Sequence, residues 1–284
     1  MKQLQTEIFL FIPLALITMM LFVSSTGDAY AQNGNLFISP QRMELDKKKK
    51  TSQLHLVNKS DEVKTYEISM KNYAMNDKGS LGKEVEAMPF SSKKFIRFSP
   101  RRVTLQPGED QYVRVMLRAP KDLEDGGYHS HIEFSEAENA NNKSNEQKDG
   151  AKGAQVSFKV GAAYGVAIPV FVNIGETNGS LSLDGIKAEV NKGENTGKAV
   201  VTLKRAGNTS TQKKLTLYYV DSSGEEHLVT TPTHVSVYRE VDHINREFHL
   251  RLPEDKKFAS GNLKASLSEI NENTVLDEET VSIQ

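Results

Sequence analysis

His129 and His131 are the residues of this chain best spaced for chemistry. They stand two apart, so on an extended segment both side chains point to one face, and two imidazoles on one face are half of a metal site. Asp125 and Glu133 lie close by in sequence. No third ligand has a convincing spacing, so the pair reads as a solvated polar face and no metal is expected. His227, His234, His243 and His249 are scattered and form no recognisable site. The chain has no Gly-x-Ser-x-Gly elbow, no phosphate-binding glycine loop and no dinucleotide fingerprint. It has no cysteine, which excludes disulfides, thiol nucleophiles and cysteine-held metals. These absences argue against an enzyme and leave no cofactor to expect.

The other chemistry available is that of the backbone. Val156, Phe158, Val160, Ala162, Tyr164, Val166, Ile168, Val170 and Val172 occupy every second position of a 17-residue stretch. Side chains alternate between the faces of a strand, so these nine form one apolar stripe on one ribbon. At roughly 3.3 Å per residue the ribbon runs about 55 Å, far beyond an ordinary strand. Pro169 lacks an N–H and favours an edge, where unpaired backbone groups are offered to another chain. Gly161, Ala163, Gly165 and Ala167 keep the second face low. Two ordinary core strands broken near Gly161 or Gly165 are the plainer reading. An edge strand that completes another protein's sheet is the sharper one.

The elements around this ribbon are short and strand-like. Apolar runs at 36–45, 53–58, 65–73, 95–98, 103–105, 112–117 and 128–134 are separated by turns such as Pro107-Gly108 and Asp125-Gly126-Gly127. Asp46 to Lys50 reads as a solvated turn and 76–89 as a loop. Residues 136–153 are the most polar of the chain and read as a mobile loop. The segment 173–179 reads as a hinge, after which strand signals resume to Ile283. Regular spacing and turn residues between strands suggest antiparallel sandwiches.

Residues 1–31 read as a signal peptide. Lys2 lies in the polar start, residues 8–23 are apolar, and Ala29-Tyr30-Ala31 is a small-x-small cleavage site. An apolar run of 16 residues is short for a membrane span, and no second one follows, so no span is expected in the mature chain. Removing Lys2, Glu7 and Asp28 turns 36 basic and 37 acidic residues into 35 of each. Such neutrality gives no reason to expect nucleic acid as a partner.

Several stretches resemble the periplasmic pilus-assembly chaperones of the PapD-like family. The strongest runs from Phe95-Ile96-Arg97-Phe98-Ser99-Pro100 through Leu105-Gln106-Pro107-Gly108-Glu109 to Tyr112-Val113-Arg114-Val115. Ile38-Ser39-Pro40-Gln41-Arg42 and Ala119-Pro120-Lys121-Asp122-Leu123-Glu124 match in the same order. The resemblance implies an all-β chain of two immunoglobulin-like β-sandwich domains in tandem: signal peptide 1–31, first sandwich 32–173 ending in a long donor strand, second sandwich 174–284. It also implies a periplasmic chaperone whose strand fills the groove of a pilin-like subunit before an outer-membrane usher accepts it. Val156, Phe158, Val160, Ala162 and Tyr164 are then the inserted side chains, and Arg42 anchors the subunit's C-terminal carboxylate. The chain departs from the family in three places. The second anchor, a strand lysine, falls at Pro169; the arginine that ties the domains falls on Asn173; and Tyr128-His129-Ser130-His131-Ile132 replaces a Trp-Leu-Asn segment. A surface or adhesive structural protein that kept the fold without the chaperone task is the alternative, and a zinc-dependent enzyme ranks last.

Overall fold

The computed structural model describes residues 36–137, 165–272 and 274–283 of the 284-residue chain. The signal segment, most of the polar 136–153 stretch, and Val156, Phe158, Val160, Ala162 and Tyr164 lie outside the described residues. Among the described residues the structure is all-β, and no helix is long and apolar enough to cross a membrane.

Two β-sandwiches follow one another. The first contains β1 (Leu36–Ser39), β2 (Met43–Asp46), β3 (Thr51–Asn58), β4 (Lys64–Lys71), β7 (Ile96–Ser99), β8 (Arg102–Leu105), β9 (Asp110–Leu117), β10 (Gly126–Glu136) and β11 (Gly165–Ile174). One sheet has the order β1-β3-β9-β7 and the other β2-β11-β10-β4-β8. A small hairpin, β5 (Tyr73–Met75) and β6 (Leu81–Glu84), stands apart from both sheets. The second sandwich sets β12 (Gly179–Val190), β13 (Thr196–Gly207) and β17 (His243–Arg251) against a sheet of β14 (Thr211–Val220), β15 (Glu226–Leu228), β16 (Thr233–Val237), β18 (Gly261–Ser268) and β19 (Val275–Ile283).

Alternation in the sequence explains most of these strands. Leu54 and Leu56 on β3 and Val113 and Val115 on the neighbouring β9, with Leu54 opposite Val113, are all fully buried in the first core. Each such side chain contributes about 1.5–3 kcal/mol on burial. The apolar phase of β11 does the same: Ile168, Val170, Val172 and Ile174 point into their own sandwich. The described part of the long ribbon is therefore core on that face.

The Asp46–Lys50 run is a turn as expected: the Asp46 carboxylate accepts the N–H groups of Lys48 (2.6 Å) and Lys49 (2.5 Å). Two expectations need correction. The 76–89 segment is not all loop, because Leu81–Glu84 pairs with Tyr73–Met75. The 173–179 segment is not a free hinge. Gly175, at φ 60°, turns the chain over Asp125, whose carboxylate accepts the Glu176 N–H (3.0 Å). Asn178 and Asn208 exchange hydrogen bonds, each side-chain oxygen accepting the other's backbone N–H (2.8 and 3.1 Å).

Candidate functional site

β11 is paired unequally along its length. Gly165–Ile174 pairs antiparallel with β10 throughout, Ser135 opposite Gly165 and Gly126 opposite Ile174. On the other side β2 runs parallel and covers only Val170–Asn173, with Met43 opposite Val170. Among the described residues, nothing pairs with Gly165–Pro169 on that second side. Pro169 sits at the end of the uncovered stretch, where a missing N–H costs the sheet no bond to β2.

Arg42 directly precedes β2, so it stands where the covered edge begins. Its guanidinium lies flat on Phe171 (3.7 Å to the ring centre) and donates from Nε to Glu44 Oε1 (2.8 Å). Phe171 is in the opposite phase to the core stripe of β11, so it faces the second sandwich. A cleft of about 260 Å³ opens here between the two sandwiches. Its walls include Arg42 and Phe171 on one side and Thr211 and Lys213 on the other. Lys213 Nζ pairs with Glu269 (2.5 Å), and the buried Thr211 hydroxyl has no hydrogen-bond partner. Arg42 and Lys213 thus bring two cations from different sandwiches to one cleft.

The junction beside the cleft is tightly made. Asn173 Oδ1 accepts the Thr209 hydroxyl (3.1 Å). Arg239 reaches back from the second sandwich, stacks on Phe90 (3.7 Å) and donates to the Gly127 carbonyl (3.2 Å). The buried Arg205 donates to the carbonyls of Val241, Gly207, Thr209 and Arg239 and to Asp242 Oδ1, so one guanidinium holds both loops that meet the first sandwich. Charge-assisted bonds from a planar fork suit such loop anchoring. Neither arginine lies in a recognisable motif; the sequence signals at the junction were the Gly126-Gly127 pair, read as a turn, and the 173–179 segment, read as a hinge.

The histidine pair overturns the solvated reading. His129 and His131 are both fully buried. β10 is buried on two faces, Ile132 and Phe134 toward its own core, the two histidines toward the second sandwich and the β5–β6 hairpin. Tyr238 packs its ring 4.4 Å from His129, Phe171 stacks at 5.8 Å, and Tyr73 meets His131 edge-on at 5.3 Å. Burial, and then the neighbouring His129, push the His131 pKa down to about 4, so the ring is neutral near pH 7. Burial also pushes Tyr238 up to about 12. Glu240, missed in the sequence, comes from the turn after β16. Its Oε1 accepts the Met75 N–H (2.9 Å) and lies 3.4 Å from His129 Nε2, within ion-pair reach but without hydrogen-bond geometry. Burial alone would raise this carboxyl; His129 and the Met75 amide outweigh it and hold the group below its ordinary value.

His227 was read as isolated, yet its ring gathers with Asp221 and Glu225. The Lys256 ammonium lies 3.2 Å from His227 Nδ1 and 3.4 Å from Glu225, so the local positive charge is already supplied. Asn58, in an Asn-x-Ser triplet, is buried and donates to the carbonyls of Glu62 and Leu105, which is a structural task.

No known family model matches the sequence, and no curated protein does. Solved structures that the chain resembles in fold include fimbrial chaperones. One is from a chaperone–tip adhesin complex of CFA/I fimbriae (14% identity, 87% of this chain, 98% of that one, TM-score 0.44). A second is from the CsuC–CsuE chaperone–tip adhesion subunit complex of Acinetobacter baumannii (15% identity, 87% and 97%, TM-score 0.43). A third is the Pseudomonas aeruginosa CupB2 chaperone (8% identity, 87% and 98%, TM-score 0.40).

Proposed function

We propose that this chain is a periplasmic chaperone that caps fimbrial, pilin-type subunits by lending them an edge strand before an outer-membrane usher takes them. It performs no chemistry on its client. The observation that supports this reading is a strand edge open at one end and closed by a basic residue at the other. Gly165–Pro169 is paired on one side, β2 takes the second side only from Val170, and Arg42 stands at that boundary.

The apolar alternation of β11 continues upstream in the sequence to Val156. Val156, Phe158, Val160, Ala162 and Tyr164 are the side chains proposed to enter the groove of a subunit that lacks its own last strand. A guest strand laid on the open edge and running parallel to β11 follows the line of β2. Its C-terminus arrives at Arg42. The strand lysine that the family would use falls at Pro169, and Lys213, from the second sandwich, takes that role across the cleft. Arg42 and Lys213 are each paired to a partly exposed carboxylate. Such pairs are worth about 0–1 kcal/mol, so exchanging either partner for a client carboxylate costs little.

Energies fit a reversible hold. Four or five apolar side chains gain roughly 1.5–3 kcal/mol each on burial. Association costs an estimated 4–15 kcal/mol, so backbone bonds at about 1 kcal/mol each decide the balance.

Co-expression with a pilin-type subunit and co-purification tests the reading. Phe158→Asp with Val160→Asp should abolish capture while circular dichroism stays native. Arg42→Ala should weaken capture at least about tenfold, the loss of one charged hydrogen-bond anchor. If the double variant unfolds, those residues are core and strand lending fails. If it still captures the subunit, another surface does the work. If the wild-type chain captures no subunit, the surface-protein alternative stands instead.

A further inference from the structure

At the junction of the sandwiches, five polar atoms are buried without a hydrogen-bond partner: Nδ1 and Nε2 of His129, Nδ1 and Nε2 of His131, and Oε2 of Glu240. Buried polar atoms nearly always find partners, and each orphan costs about 1–3 kcal/mol. Arg205 and the Asn178–Asn208 pair show how fully polar groups beside them are satisfied. Five orphans in one spot therefore need an explanation.

Their chemistry supplies one. Two imidazoles and a carboxylate make a His–His–Glu donor set, of the kind that holds zinc with one position left open. The His129 and His131 rings meet at 86° with centres 6.3 Å apart. Two imidazoles bound to one zinc at about 2.0–2.1 Å have ring centres about 5–6 Å apart. The ligand atoms of the three residues do not all lie within 4.8 Å of one another, so closing the set requires the rings to turn and draw inward. Glu240 is already steadied by the Met75 amide on its other oxygen, the outer-sphere support that ligating carboxylates commonly receive. The two histidines come from β10 of the first sandwich, and Glu240 from the β16–β17 turn of the second.

We propose that His129, His131 and Glu240 form a binding site for a divalent transition-metal ion of the zinc class, which pins the two sandwiches together. The site is independent of strand lending: it lies on the opposite phase of β10 from the first core and involves none of the proposed donor residues.

The full mature chain, stripped with a chelator, is dialysed against micromolar zinc chloride and its metal content measured. About one zinc per chain is expected, with a rise in melting temperature. Titration of the stripped wild-type chain with Co²⁺ should give the intense visible absorption of a tetrahedral nitrogen–oxygen site. His131→Gln and Glu240→Gln, with native circular dichroism, should each weaken zinc binding at least about tenfold. His227→Ala, which removes the surface histidine cluster, should leave it unchanged. Absence of zinc and of the Co²⁺ bands in the wild type overturns the proposal without any variant. So does zinc that is retained by both folded variants or lost with His227→Ala.

Discussion

Single side chains hold this molecule together where loops meet. Arg205 is the clearest case, since its guanidinium is almost fully buried and serves four carbonyls and a carboxylate. Lysine keeps the charge but presents a point, not a fork. Arg205→Lys leaves at least two buried carbonyls without their donor, at about 1–3 kcal/mol each. Urea unfolding should show a loss of about 2–5 kcal/mol; a loss below 0.5 kcal/mol would mean that the loops hold without the fork. At this scale the sequence was least legible. An arginine that anchors loops looks like any surface arginine until the loops come together. The same holds for Glu240, which is separated by more than a hundred residues from the histidine it approaches.

Strands were far easier to read, because inside–outside alternation is written locally. Leu54, Leu56, Val113, Val115, Leu215, Leu217 and Leu263 are all buried where their spacing puts them. The failures share one cause. Alternation tells which face is apolar but not what covers the other one. His129 and His131 occupy the polar phase of β10, and nothing in the local pattern warns that a second sandwich closes over it. The β5–β6 hairpin was missed because Leu81–Glu84 is exposed throughout, which leaves no alternation to see. That hairpin nonetheless bridges the sandwiches: Met75 belongs to the second core, and the Asp77 carbonyl accepts the Asn245 N–H (2.7 Å). Met75→Ala should cost about 2 kcal/mol, the low end for a buried methionine because the site is peripheral. Calorimetry that shows no change would place the hairpin outside the cooperative structure.

The whole chain is built to keep two sandwiches from moving independently. They approach closely at Gly127, since a Cβ there would lie 2.9 Å from Thr209 Cα and nearer still to its hydroxyl. Alanine at that position forces backbone apart and strains the Arg239–Gly127 and Asn173–Thr209 bonds with it. The wild type should unfold in one calorimetric transition, and Gly127→Ala should resolve two. A single unshifted transition in the variant would show that the junction carries no coupling. The two-sandwich layout was legible from strand count and turn spacing; the stiffness of the segment after β11 was not. Stiffness comes from reciprocal asparagine bonds and a glycine over a carboxylate, which only the folded chain brings together.

β2 ends the open edge after five residues of β11, and it does so with a cation. That makes it a ruler. Under the proposed strand-lending function, a client read against it would be judged by where its chain stops, so one fibre subunit could replace another of unrelated sequence provided both finish at the same mark. A client extended by a few residues past that mark would be refused, however well its other side chains fit.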